Sequence, residues 1–165
     1  MRLFFMTETV KRVQEHLHNV GCTAKIIHTD ATIFTVADAS RAIGASEEAI
    51  LKSIILRVNH GESHALALMS GANFVDTKKV RRALGAKHVS FESGENCEAL
   101  FGFKPGGVPP VGYNEPIVAL LDSDLWGQEI VWSAAGTDHD FFPISPDELL
   151  RITNGKRADI AKEIA

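Results

Sequence analysis

The sequence predicts a mixed α/β (α+β) fold, in which a curled, mostly antiparallel mixed sheet of about seven strands is flanked by short helices. The length of 165 residues fits one domain that spans residues 1–165. Short helical patterns alternate with short apolar strands along the chain, with no repeat, linker or low-complexity segment. Some successive strands are joined by short turns, which argues against a purely parallel sheet.

Five helices are predicted from capping residues and from apolar residues that recur at helical spacing. Each follows a side chain that can accept a hydrogen bond from the first turn, and most end at a glycine or asparagine. A further helix start is predicted at Ser46, and a final helical turn or two within 158–165. From cap to stop, the five predicted helices are 7–21, 35–44, 76–85, 93–101 and 145–155.

The strands are predicted from runs rich in isoleucine, leucine and valine. The turn-like segment 59–62 separates two such runs, which predicts a hairpin with a four-residue loop. The continuous apolar run at 117–121 is typical of a buried strand. The predicted strands are 24–28, 51–58, 64–69, 87–91, 117–121, 129–134 and 141–144.

Charge and composition exclude several classes of protein. The formal net charge is −4, which argues against coating nucleic acid with one large positive field but allows a local basic patch. The apolar run before Met6 is shorter than a signal peptide requires, and no segment approaches the ~20 apolar residues of a membrane span. Cys22 and Cys97 lie far apart, which favours a reducing compartment. We therefore expect a cytoplasmic protein that starts at Met1 or Met6, with residues 1–6 as an extension.

The most unusual segment is residues 102–112, the glycine–proline loop, which has four glycines and three prolines in eleven residues. Proline fixes φ and glycine permits positive φ, so this loop is expected to have a defined shape. Gly106 and Gly107 leave their backbone N–H groups open to a carbonyl or phosphate. No Gly-Lys-Ser/Thr follows, so it is not a P-loop. By its chemistry alone, the loop is either a rigid connector or a functional loop.

Three segments resemble the YbaK/EbsC family, whose members are free-standing relatives of the domain that removes wrong amino acids from transfer RNA. The glycine–proline loop is similar to the signature loop of the family. Residues 49–56 resemble its helix-to-strand segment with a lysine, here Lys52. Residues 134–137, the late turn, resemble its Gly-Ala-Gly-Ser turn, with alanine and threonine in place of the first glycine and the serine. The resemblance extends from about residue 35 to residue 150 and implies the fold described above.

Lys52 is the candidate catalytic residue. Alternate residues of a strand share a face, so Lys52 heads the apolar face of Ile54, Leu56 and Val58. From the residues alone, its charge either extends into solvent from the strand end or meets an anion in a pocket. The resemblance implies the second, with the ammonium group close to the ester, where it stabilises charge that develops on the ester oxygen.

The resemblance also implies how substrate is held. Backbone N–H groups around Gly106 and Gly107 would bind the ester carbonyl, and the late turn would face it. Water attacks the ester with help from the ribose hydroxyl of the substrate, so no metal and no cofactor is expected. The expected substrate-binding residues are Ser53, Gly106, Gly107, Val108, Gly112, Gly136 and Thr137, with His139 beside the late turn and His28 at the end of the first strand.

The only dense basic run lies within residues 78–88. Lys78 and Arg82 lie one turn apart on the outer face of the predicted helix, and together with Lys79 they are the candidate RNA-binding residues. The alternative is a solvated helix face.

Other reactive side chains are expected to have no catalytic or metal-binding role. A buried free cysteine, as we expect Cys97 to be, is usually inert packing. His16 and His18 point to different faces of their helix. His60 and His64 flank a turn without a third ligand for a metal.

The expected activity is trans-editing, the hydrolysis of mischarged aminoacyl-tRNA of the Cys-tRNA or Ala-tRNA type, on the tRNA for proline. The expected partner is the acceptor end of tRNA, with an aminoacyl-tRNA synthetase as a further candidate and neither DNA nor a membrane. Two alternatives stay open: a non-catalytic module that binds tRNA or a synthetase, and a hydrolase of other activated acyl esters. Retention of both Lys52 and the glycine–proline loop favours the enzyme.

Overall fold

Two β-sheets organise residues 6–163, the part of the chain that the computed structural model describes. The strands are β1 (Ile27–His28), β2 (Leu51–Val58), β3 (Ser63–Ser70), β4 (Val89–Phe91), β5 (Val118–Asp122), β6 (Val131–Ala134), β7 (Asp140–Ile144) and β8 (Lys156–Ala158). The α-helices are α1 (Glu8–Asn19), α2 (Val36–Ile43), α3 (Thr77–Leu84), α4 (Gly94–Phe101) and α5 (Pro146–Thr153). Short 3-10 helices cover Glu47–Ala49, Asn59–Gly61 and Ser123–Gly127. The expected N-terminal extension falls mostly on residues 1–5, outside the described residues.

The larger sheet has the strand order β4-β2-β3-β5-β8, and the smaller sheet has the order β1-β7-β6. β5 pairs in parallel with β3 and with β8, whereas the other four strand pairs are antiparallel. A parallel bridge between Ile50 and Trp132 links the two sheets. The mixed, mostly antiparallel α/β class is therefore confirmed, but the strands divide between two sheets.

The division follows from an apolar core that both sheets share. Leu51 and Ile55 of β2 pack there with Val131 of β6 and Phe142 of β7. The covering helices contribute Val13 and Leu17 from α1, and Leu149 and Ile152 from α5. Because each sheet turns one apolar face toward this core, both bury that face without closing into one continuous sheet.

The other face of the larger sheet covers a second core. Leu56 and Met69 pack there against Val80 of α3 and against Ile160. Alternation along β2 places Lys52 on the same face as Leu56, as the sequence predicts.

Local signals placed the starts of the five α-helices and the hairpin correctly, whereas Ser46 precedes only a short 3-10 helix and forms no capping hydrogen bond. Thr35 accepts a hydrogen bond from the Asp38 N–H, and Asp38 accepts one from the Thr35 N–H, which completes the predicted capping box. Val58 pairs with Ser63, so the predicted hairpin has its four-residue loop.

The predicted helical turn at 158–165 is wrong as far as residue 163, where the described chain ends. Lys156–Ala158 instead extends the open edge of β5 as β8, and Ala161 pairs with Val75. A short helix is marginal in isolation. The extended path gains strand pairing and buries Ile160 completely.

Candidate active site

A cavity of about 260 Å³ lies where β2, the glycine–proline loop and α2 meet. It brings Lys52 and Ser53 together with Gly106 and Val108, four residues that the sequence analysis selected. The cavity is lined by Ile33, Phe34, Thr35, Val36, Ala39, Ile50, Leu51, Lys52, Ser53, Ile54, Gly106, Val108, Ala134 and Phe141. The sequence predicted the start of α2 from the capping box at Thr35, but it did not predict that α2 and the segment before it form one wall of the cavity.

Ser53 lies at a gap in the edge of β2. On this edge, β4 pairs only with Leu56–Val58, and β6 bridges only at Ile50. The Ile55 carbonyl accepts from the Glu92 N–H at 3.1 Å, and main-chain groups alternate between the two edges, so the Ser53 main chain faces the same edge. The Ser53 Oγ is buried without a hydrogen-bond partner among residues 6–163. An unpaired buried hydroxyl costs about 1–3 kcal/mol, so a ligand that pairs with it gains binding energy.

Of the described residues that line the cavity, Lys52 alone carries an ionisable side chain. Its Nζ donates to the Asn73 carbonyl and lies 4.6 Å from the centre of the Phe74 ring. Burial lowers the pKa of Lys52. Within residues 6–163 no carboxylate forms an ion pair with it, so its charge is available to an anionic ligand.

The glycine–proline loop packs directly on the late turn. A Cβ at Gly107 would lie 2.8 Å from the Thr137 Cα, too close for any side chain. Gly112 and Gly136 both have φ of +102°, a region that favours glycine. They contact α1 rather than the cavity: Gly112 lies against Val13, and a Cβ at Gly136 would meet the backbone of residue 9 at 2.8 Å.

Arg12 on α1, which no sequence pattern predicted as a functional residue, joins both ends of this loop. Its Nη1 donates to the Phe101 carbonyl at 3.0 Å, and its Nη2 donates to the Gly112 carbonyl at 2.8 Å. The guanidinium group also lies 4.5 Å from the centre of the Phe103 ring. These partners are about 90 to 100 positions away in the sequence, so no local pattern points to them.

His28, Thr137 and His139 form a polar network around Asp140, which is buried. Thr137 Oγ1 donates to Asp140 at 2.5 Å, and His28 Nδ1 donates to it at 2.9 Å. The hydrogen bond from His28 to Asp140 raises the pKa of the imidazole. His139 Nδ1 donates to the Thr29 carbonyl at 3.0 Å. None of these side chains lines the cavity, so their contacts support the late turn.

Comparison with known proteins identifies the family to which this fold belongs. The model of the aminoacyl-tRNA editing domain family matches residues 30–152. The chain belongs to this family. The predicted membership of the YbaK/EbsC group of editing domains is thereby confirmed.

Three relatives show how the editing domain is used elsewhere. EbsC of Enterococcus faecalis, a candidate Cys-tRNA(Pro)/Cys-tRNA(Cys) deacylase, is 25% identical over 121 residues, which cover 73% of each chain. Proline–tRNA ligase of Limosilactobacillus fermentum is 31% identical over 109 residues, 64% of this chain and 19% of that enzyme. The chain thus spans about a fifth of the ligase. A solved structure of a candidate trans-editing enzyme for prolyl-tRNA synthetase is 36% identical, with a TM-score of 0.88 over 96% of this chain and 100% of that one.

The basic run of the editing domain is divided by its contacts. Lys78 and Arg82 are exposed on α3, as predicted from their spacing. Lys79, which was predicted to bind RNA with them, instead binds the C-terminal segment: its Nζ donates to the Ala161 carbonyl at 2.8 Å and pairs with Asp159 at 3.2 Å. Its charge is therefore used within the protein.

The remaining candidate groups of the editing domain stay outside the cavity. Cys97 is a buried free thiol whose pKa is raised by burial, which disfavours the reactive thiolate. Between residues 6 and 163, no group of three or more His, Cys, Asp or Glu side chains is arranged to hold a metal ion. No helix in that range is long and apolar enough to cross a membrane.

Proposed function

We propose that this editing domain acts in trans and hydrolyses the ester bond of mischarged aminoacyl-tRNA. The observation that carries the proposal is the meeting of Lys52 and Ser53 with the glycine–proline loop in one cavity. A fixed ammonium group and the main chain of Gly106 can stabilise the negative charge that develops on an ester oxygen during attack by water. The Gly107 N–H, which was expected to be open to substrate, instead donates to the Lys104 carbonyl at 3.0 Å.

In the proposed reaction, water adds to the ester carbonyl, and the bond between the carbonyl carbon and the ribose oxygen breaks. The amino acid leaves with a free carboxyl group, and the ribose oxygen takes up a proton. Among residues 6–163, the cavity lining holds no carboxylate and no imidazole that could act as the general base. This composition favours a mechanism in which the neighbouring ribose hydroxyl assists the water. The Ser53 hydroxyl and the main chain of Gly106 bind the ester end of the substrate.

The cavity walls favour a small, uncharged amino acid. Val36, Ala39, Ile50 and Phe141 supply apolar surface around a volume of about 260 Å³. We propose substrates of the Cys-tRNA or Ala-tRNA type. The named relatives are linked to the tRNA for proline or to its ligase, which supports that tRNA as the carrier. One methylene group changes specificity by only about 1–3 kcal/mol, so substitutions in this wall can change the preferred amino acid.

The proposal places the protein in the cytoplasm, where tRNA is charged, with a prolyl-tRNA synthetase as candidate partner. Lys78 and Arg82 are proposed to bind the RNA backbone. Replacing both by alanine should weaken binding of full tRNA and reduce the slope of log K against log salt by about 1.4–1.8. Hydrolysis of a short aminoacyl-nucleotide should be unaffected. An unchanged salt slope would assign both charges to ordinary surface.

One assay tests the activity against its alternatives. The purified chain is incubated with tRNA charged with cysteine, alanine or proline, and free amino acid is followed against spontaneous hydrolysis. We expect release from Cys-tRNA(Pro) or Ala-tRNA(Pro), and no release from correctly charged Pro-tRNA(Pro). Binding without release would favour a non-catalytic module. Release from simple acyl esters at the same rate, without preference for tRNA, would favour a general acyl-ester hydrolase.

A further inference from the structure

Two exposed aromatic rings lie close to residues of the candidate site, one in the cavity lining and one against Lys52. Phe34 and Phe74 are the most exposed large apolar side chains among residues 6–163, at 85% and 69% of their accessible area. Phe34 lines the cavity, and the ring of Phe74 lies over the Lys52 ammonium group. Leaving such rings in water forgoes the free energy of burying them, which suggests that a ligand covers them.

Both rings are carried by main chain that is held in place. The Phe34 N–H donates to Asp38 Oδ2 at 2.9 Å, within the capping box of α2. The Phe74 carbonyl accepts from the Lys162 N–H at 2.8 Å, and the next residue, Val75, pairs with the C-terminal segment. Binding to rings on a fixed backbone costs little ordering entropy.

We propose that Phe34 and Phe74 form a stacking platform for the unpaired bases at the acceptor end of tRNA, and that Phe74 stacks on the base of the acylated nucleotide. This inference rests on the proposed function, since it needs an acylated ribose in the cavity. Aromatic side chains commonly bind single-stranded nucleotides in this way, because every base has a π-face.

The surroundings of Phe74 favour a nucleotide over an apolar protein segment. The Lys52 ammonium group covers one face of the ring and leaves the rest of the ring exposed. That charge has no carboxylate partner within residues 6–163, so it complements the phosphate and the ester of a bound nucleotide. A base on the ring therefore brings its own ribose close to Lys52, at the cavity that Lys52 lines.

The test compares two substrates and two variants. The substrates are an RNA hairpin mischarged on its terminal adenosine, and the same hairpin whose acylated terminal nucleotide lacks its base. In the wild-type protein, removal of the base should lower kcat/KM roughly fivefold to a hundredfold. In Phe74→Leu, the normal substrate should already show this loss, and removal of the base should cause little further change. Phe91→Leu is the matched control, since Phe91 is 58% exposed and lies opposite Leu56, four residues along β2 from Lys52.

Three results would overturn the stacking. The first is an unchanged kcat/KM in Phe74→Leu. The second is an equal loss of kcat/KM on both substrates in Phe74→Leu, which would indicate an effect through Lys52. The third is the same loss of kcat/KM in the control Phe91→Leu. A wild-type protein that hydrolyses neither substrate would instead overturn the proposed function.

If the wild-type protein hydrolyses neither substrate, a binding measurement still tests the stacking. Fluorescence anisotropy of a 5′-labelled single strand ending in CCA should show weaker binding to Phe34→Leu and to Phe74→Leu than to the wild type. Equal affinities for all three proteins would refute the platform, whatever the enzyme does.

Discussion

Replacing Lys52 by methionine removes the cation and keeps an unbranched side chain on β2. The lost contacts are a hydrogen bond to the Asn73 carbonyl and the contact with the Phe74 ring. Loss of one charge-stabilising donor in an active site lowers kcat about 10²–10³-fold, or about 2.7–4 kcal/mol. We expect a loss of this size in the deacylation rate of Lys52→Met.

Stability should change much less than rate. Burial lowers the pKa of Lys52, so the folded protein binds its proton less tightly than the unfolded chain does. The charged lysine therefore opposes folding at neutral pH, and its contribution becomes less unfavourable as pH rises through the lowered pKa. Methionine removes this cost while it loses one hydrogen bond, worth about 1 kcal/mol. The free energy of unfolding should thus stay within about 1–2 kcal/mol of the wild-type value.

The assay is single-turnover deacylation of a mischarged tRNA, corrected for spontaneous hydrolysis, together with urea unfolding of both proteins. Lys156→Met is a suitable control, because Lys156 is exposed on β8 and should tolerate the same change. In the wild type, enzyme-dependent hydrolysis should also fall as the pH rises through the pKa of Lys52, because the ammonium group loses its charge. This fall should occur below the usual lysine pKa of ~10.4. A folded Lys52→Met variant that keeps a rate within about threefold of the wild type would refute the charge-stabilisation argument.

Three further perturbations test the supports of the cavity. Gly107→Ala should lower the deacylation rate by up to about 100-fold, because its Cβ displaces the loop from the late turn. The control Gly127→Ala, with no atom within 4 Å of its Cβ, should keep both rate and Tm, and equal rates in the two variants would refute the steric argument. Arg12→Lys should lose about 1.5–3 kcal/mol of unfolding free energy in urea, because lysine cannot bond both carbonyls and stack at once; an unchanged urea midpoint would contradict this. Asp140→Asn should lower the pKa of His28 toward ~6.5 in an NMR titration. The raised pKa of folded His28 stabilises the protein below that pKa, and this gain is lost as pH rises through it, so the variant should lose most stability in acid. A His28 pKa that does not move would be inconsistent with the pairing of His28 and Asp140.

Sequence alone could predict the parts of the fold that depend on near neighbours. The capping box at Thr35 and the hairpin at 59–62 are set by residues within a few positions of one another. The position of Lys52 on β2 follows from strand alternation. That Lys52 and Gly106 line the same cavity could be predicted only from the family resemblance, because no local rule relates residues that far apart in the sequence.

The parts that escaped prediction depend on distant pairing. β8 forms because the edge of β5 is open, and nothing within residues 156–158 indicates that edge. Arg12 binds carbonyl groups at both ends of the glycine–proline loop through contacts across the fold. Lys79 looked like its exposed neighbours, but it turns toward Asp159, which the C-terminal segment brings near.

Because the edge of β2 is unpaired at Ser53, the cavity wall offers main-chain groups to a ligand as well as apolar side chains. The main-chain groups of Ser53 and Gly106 remain whichever side chains surround them, whereas Val36, Ala39 and Ile50 can be exchanged by single substitutions. In the proposed reaction, substitutions in this apolar lining would therefore change which amino acid fits, while the groups that bind the ester stay the same.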